Sequence, residues 1–235
     1  MHKATVVLPM YEWSPYVKRA VLSVKRQSFR EDLEFIVLDF RKEKATTEIA
    51  ELTACFGENG LKILTGEKKK FYATLNEAIQ MAEGEYLLFL AQNCVLTKNV
   101  LEILYSRAQK NEADILIGNI AKQRGKNIDV EAVLGKKIGR DETLNLAGQN
   151  DVLAEDFSLY NKFMKVSTLQ ASAATFAKVN PNSMFLTQVE SCAKNIFWIN
   201  REVCLCGGKK IYEYNGRTAK DYARAVVRRI KKLIK

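Results

Sequence analysis

The chain has 235 residues, 47% apolar and 27% charged, enough for one large packed domain or two small ones. Its single histidine, His2, excludes His-dependent triads and His-rich metal centres, and no run approaches the roughly 18 apolar residues that span a bilayer. Net charge is +10, but residues 216–235 hold eight Lys/Arg against one Asp, so +7 sits in the tail and only +3 elsewhere, which argues against nucleic acid as the partner.

The start goes straight into a strand-like run, Ala4 to Leu8, which Pro9 is expected to end, and no signal peptide is expected from it. Val17, Ala20, Val21 and Val24 then recur at helical spacing. Leu33 to Leu38 is a second strand, Ile49 to Cys55 a second helix, and Leu61 to Leu64 a third strand. The helix after it runs to about Ala82 and stops at Gly84, a glycine stop signal. Tyr86 to Leu90 is nearly continuously apolar, as a strand covered on both faces must be. Val100 to Ala108 reads as helix and Asp114 to Ile117 as strand. Residues 121–156 are polar and weakly periodic, and no element is assigned to them. Leu159 to Lys165 reads as helical or turn-like, Met184 to Ala193 as helical, and Ile196 to Ile199 and Val203 to Leu205 as short strands.

Strands alternating with helices predict an α/β fold with a mainly parallel central sheet flanked by helices. Ligands of such sheets bind at the carboxyl ends of the strands, where Met10-Tyr11-Glu12, Asp39 and Ala91-Gln92-Asn93 fall. The five cysteines include no Cys-x-x-Cys pair. Cys204 and Cys206 are read as buried or edge-strand thiols in preference to a redox or zinc device, and a reduced, cytoplasmic compartment is expected.

The ordered blocks Val6-Val7-Leu8-Pro9-Met10-Tyr11-Glu12, Gln27-Ser28-Phe29, Glu34-Phe35-Ile36-Val37-Leu38-Asp39, Leu75-Asn76-Glu77-Ala78 to Ala82-Glu83-Gly84-Glu85-Tyr86, and Leu159-Tyr160-Asn161-Lys162-Phe163-Met164-Lys165 carry a likeness. Together they resemble the family 2 glycosyltransferases, which have the GT-A fold, over most of residues 4 to about 210. The resemblance implies a nucleotide-sugar donor, taken as UDP-linked, and a glycan or lipid-linked acceptor in cell-surface polysaccharide assembly. It places Pro9, Tyr11, Glu12, Asp39 and Asn76 around the nucleotide, with Tyr11 stacking on the base and Asp39 accepting its imide N–H.

The departures from the family pattern share a direction. The metal-binding Asp-x-Asp is Ala91-Gln92-Asn93, the Asp-Gly-Ser after Asp39 is Phe40-Arg41-Lys42, and the Arg before Asn76 is Leu75. The catalytic base of the family falls on Pro181-Asn182, and Glu155-Asp156 precedes the Asn-Lys element instead of following it. Hard cations need anionic oxygen ligands, so no metal is assigned and Mg²⁺ or Mn²⁺ binding is doubtful. Two readings stay open. One is a transferase of weak or atypical activity, with Lys68-Lys69-Lys70 or Arg41-Lys42 neutralising diphosphate; the other is an inactive relative acting as scaffold or regulator.

The tail supplies the remaining expectation. Residues 1–215 are read as the GT-A-like domain and 216–235 as a basic amphipathic helix. Ala223, Val226, Val227, Ile230, Leu233 and Ile234 line one stripe, against Arg224, Arg228, Arg229, Lys231, Lys232 and Lys235. Such a helix suits an anionic membrane surface on the cytoplasmic side. Packing on its own domain, a link to a further domain, and contact with a partner transferase are the alternatives.

Overall fold

The computed structural model describes residues 2–28, 32–43, 46–57, 59–124, 127–131, 144–145, 158–176 and 181–207. The expected C-terminal helix, with Arg224, Arg228, Arg229, Lys231, Lys232 and Lys235, lies outside them, as do the boundary at 215/216 and Glu155-Asp156. No helix of the described residues is long and apolar enough to cross a membrane.

Strands β1 (Ala4–Met10) and β2 (Leu33–Asp39) are buried along their whole length, as their continuous apolar runs require. With β3 (Leu61–Thr65) and β4 (Tyr86–Phe89) they form a parallel half-sheet in the order β3-β2-β1-β4. Pro9 does not end β1 as expected: the strand continues through it to Met10, two residues past Leu8. The β4 pairing stops at Val7↔Phe89, so nothing waits there for the N–H that proline lacks.

Helix α1 (Pro15–Lys25) follows β1. The Ser14 side chain accepts from the Val17 amide at 3.4 Å, Pro15 opens the first turn, and Val17, Ala20, Val21 and Val24 face the core. Helices α2 (Thr46–Phe56), α3 (Phe71–Met81) and α4 (Val100–Lys110) take the connections after β2, β3 and β5 (Cys94–Leu96).

The second half-sheet is mixed. Its order is β4-β9-β6-β10-β5, with β6 spanning Ile115–Arg124, β9 Lys162–Lys165 and β10 Ile196–Gly207. Strands β7 (Asn127–Glu131) and β8 (Leu144–Asn145) add to β6 and β10, in the stretch where the sequence assigned nothing. Two sequence expectations are corrected here. The Asn-Lys element is turn-like only through Asn161: Lys162–Lys165 is a strand inserted antiparallel between β4 and β6. The two short strands at 196–199 and 203–205 are one strand, whose register shifts around Glu202 as it passes β6.

Candidate functional site

The carboxyl ends of β1 and β2 bring Tyr11, Asp39 and Phe40 together. The Tyr11 ring stacks on Phe40 (centroids 5.4 Å apart) and on Phe71 at the start of α3 (6.0 Å). Gly66 is required beside this cluster, because a β-carbon there would meet the Phe40 ring at 2.5 Å. Burial is the main force holding the Tyr11 phenol above its ordinary pKa, so the ring stays neutral. The Lys68 ammonium lies 5.6 Å from the Tyr11 ring centroid.

Asp39 is fully buried, and its carboxylate is engaged. Arg41 donates to it from Nε (2.9 Å) and Nη2 (2.9 Å), and through its backbone N–H (3.1 Å). The same guanidinium also meets Glu48. The hydrogen bonds that the guanidinium donates, first to Asp39 and then to Glu48, hold the Arg41 pKa above its usual value. A base imide at Asp39 therefore has to share the carboxylate with Arg41 or displace it. The sequence carried this signal as Asp-x-Arg, but nothing in it said which way Arg41 turns.

Beyond Arg41 lies an open groove of about 710 Å³, lined among others by Arg41, Lys42, Thr65, Lys68 and Lys70. Its size falls within the roughly 300–1,000 Å³ of small-molecule sites. Lys69 and Lys70 also face Glu67, at 2.8 and 3.9 Å. Glu12 is exposed at the end of β1, and Pro9 is buried beneath it. Asn76 points elsewhere: its side chain exchanges hydrogen bonds with the Phe176 backbone, accepting at 2.8 Å and donating at 3.3 Å. In the structure it ties α3 to the segment before the helix Pro181–Cys192.

At the end of β4 the three residues in place of Asp-x-Asp all serve the fold. Ala91 is buried. The Gln92 side chain accepts the Tyr11 amide at 3.3 Å, bracing the aromatic cluster. Asn93 binds the end of β10 twice, its Nδ2 donating to the Gly207 carbonyl (3.2 Å) and its own carbonyl accepting the Gly207 N–H (3.0 Å). The next residue, Cys94, is joined to Cys206 across β5 and β10 in a disulfide. The reading of Cys206 as a free thiol is thereby corrected, while Cys204 is a buried free thiol as expected. Cys94 and Cys206 are 112 residues apart, and only the sheet register brings them together.

The position where the resemblance puts the catalytic base, Pro181-Asn182, opens the helix Pro181–Cys192, whose first turn holds no acidic residue. Leu75, where the family has Arg, is fully buried on the core-facing side of α3.

Comparison with known proteins fits this architecture. The family description "Glycosyl transferase family 2" matches residues 5–165. Glycosyltransferase GlyG of Streptococcus pneumoniae is 29% identical over 118 residues, covering 49% of this chain and 38% of that protein. Poly(ribitol-phosphate) beta-N-acetylglucosaminyltransferase TarP of Staphylococcus aureus is 25% identical over 138 residues, covering 58% of this chain and 42% of the relative. The chain thus spans less than half the length of either. The crystal structure of S. aureus TarS 1–349 in complex with UDP-GlcNAc superposes with a TM-score of 0.75 at 17% identity, over 92% of this chain and 61% of that one. The fold is accordingly that of the GT-A glycosyltransferases, and the chain belongs to glycosyl transferase family 2.

Proposed function

We propose that this chain binds a UDP-linked sugar at the carboxyl ends of β1 and β2 and works in cell-surface polysaccharide or glycan assembly, with transfer that is weak or atypical because its Asp-x-Asp position has no carboxylate to hold Mg²⁺ or Mn²⁺ at the diphosphate. The observation that carries this reading is the state of the Asp-x-Asp position. Ala91 offers no ligand, and Asn93 spends its side-chain amide on β10. A metal at a leaving diphosphate contributes several kcal/mol, and a positioned base contributes roughly 10²–10⁴-fold. The UDP-GlcNAc held by TarS and the polymer named for TarP support the donor and acceptor classes.

Without a divalent ion, fixed cations must neutralise the diphosphate. Lys68, Lys69 and Lys70 line the groove beside Tyr11 and are the residues assigned to it. The triple substitution Lys68→Ala/Lys69→Ala/Lys70→Ala is expected to weaken UDP binding by about tenfold or more, since charge-assisted hydrogen bonds contribute roughly 1.5–3 kcal/mol each. Uridine, which has no phosphate, should be affected little. Equal UDP affinity in both proteins would remove the lysine run from the site.

A second reading is a non-catalytic scaffold, favoured by the grip of Arg41 on Asp39. In either reading the basic tail would hold the domain on an anionic membrane face.

A further inference from the structure

Cys94, Cys204 and Cys206 form a triangle on one buried face of the β5–β10 ribbon. Their sulfurs all lie within 4.8 Å of one another, and the three residues are at most 3% exposed. Cys204 and Cys206 share that face because they are two apart on one strand, and Cys206 sits directly across from Cys94. We infer that, once the Cys94–Cys206 bond is reduced, the three thiolates bind one thiophilic d¹⁰ cation of the Zn²⁺ or Cu⁺ type.

Three observations point this way. The Cys204 and Cys206 sulfurs are 3.7 Å apart. Two thiolates on one tetrahedral Zn²⁺, with Zn–S near 2.3 Å, are separated by about 3.8 Å. That span therefore exists before any metal arrives. The donor set contains sulfur and no carboxylate, which selects soft cations over Mg²⁺ or Mn²⁺. Neutral oxygens also stand beside the triangle: Asn93 Oδ1 is 3.8 Å from the Cys94 sulfur, and the Tyr160 carbonyl is 3.7 Å from that of Cys204. Either is near enough to complete a fourth position after a small shift.

The chemistry balances simply. A trialkylphosphine reduces the disulfide, becoming a phosphine oxide with oxygen taken from water and leaving two thiols. The cation then displaces one proton from each of the three thiols it binds. Its place in the fold gives it a task. The cation would clamp β10 onto the strand that follows Asn93, holding the degenerate motif in its present position by coordination instead of a covalent bond. This inference is independent of whether the groove binds nucleotide.

The test is anaerobic titration of phosphine-reduced protein with Co²⁺ as the optical probe. The expected result is thiolate-to-cobalt charge-transfer absorption that saturates at one ion per chain and is displaced by Zn²⁺. Cys94→Ser and Cys204→Ser should each lose it, and Cys192→Ser, an exposed cysteine outside the triangle, should keep it. Because both cluster variants alter a fully buried core position, X-ray absorption of zinc-loaded wild-type protein provides a second readout that needs no substitution. It should show a sulfur-dominated shell near about 2.3 Å. No saturating band in reduced wild-type protein, a band that survives both cluster substitutions, or a zinc shell of nitrogen and oxygen alone would overturn the inference.

Discussion

Asp39→Ala is expected to abolish nucleotide binding and to cost the fold about 3–5 kcal/mol, the penalty for breaking a buried ion pair by removing one partner. Both effects come from one carboxylate. It is fully buried at the end of β2, and Arg41, with only 5% of its side chain exposed, is bound to both of its oxygens. Alanine would leave that guanidinium with Glu48 as its remaining acidic partner among the contacts described above. Asp39→Asn separates the two effects. The amide keeps an acceptor for Arg41 and restores part of the stability, but it puts an N–H where a carboxylate oxygen would meet the base. Urea unfolding and calorimetric titration of both variants read stability and binding separately. Nucleotide affinity unchanged by either substitution would remove Asp39 from the site.

Gly84→Ala should be the most damaging single-methyl change in the described chain. A β-carbon at Gly84 would lie 2.5 Å from the Thr5 nitrogen and 2.6 Å from the Ala4 carbonyl carbon. Both atoms belong to the backbone of β1, which cannot retreat without disturbing its ladders to β2 and β4. The same spot is a polar knot. The Gly84 N–H donates to Thr5 Oγ1 (3.0 Å), Thr5 donates to the buried Glu34 carboxylate (2.5 Å), and Glu34 also accepts the Glu83 N–H (2.9 Å) and pairs with Lys62 (2.6 Å). Overpacking alone costs about 1–3 kcal/mol, and opening a buried hydrogen-bonded carboxylate adds to it. The loss should exceed about 3 kcal/mol, seen as a lower urea midpoint with an unchanged slope. A loss within about 0.5 kcal/mol, the range of ordinary surface changes, would contradict this picture of the β1–β4 junction.

Gly84 also shows how far the sequence could be read. It marked the end of a helix correctly, but the demand for glycine comes from the approach of β1, a contact 79 residues away in sequence. The parallel half-sheet was legible because β1, β2 and β4 are buried on both faces and spell that out as apolar runs. Helix α1 was legible for a local reason, the helical spacing of Val17, Ala20, Val21 and Val24, and those four residues are its buried face. The mixed half-sheet was harder. Lys162–Lys165 is four residues long with a buried lysine at its start, so its strand character comes from the partners on either side. The polar stretch Asn200-Arg201-Glu202 hid the continuity of β10, since a register shift there breaks the alternation.

The candidate site divides in the same way. Tyr11 and Asp39 could be placed together from the sequence because both fall at the carboxyl ends of parallel strands, where such folds bind ligands. The substitutions at 91 and 93 could be read as a lost metal site, but not what replaced it. Asn93 meets Gly207, and Cys94 meets Cys206, only through a sheet register that joins residues more than 100 positions apart. Asn76 was assigned to the nucleotide by its neighbours in sequence, whereas its partner is the Phe176 backbone.

The most direct measurement is calorimetric titration of the folded protein with UDP, GDP and CDP, each with and without Mn²⁺. The account predicts saturable binding of UDP, weaker or no binding of the other two, and an affinity for UDP that Mn²⁺ leaves unchanged. UDP binding that tightens clearly with Mn²⁺ would contradict it, because other carboxylates would then hold a metal at the donor. Binding of no nucleotide at all would contradict it equally and leave the scaffold reading standing.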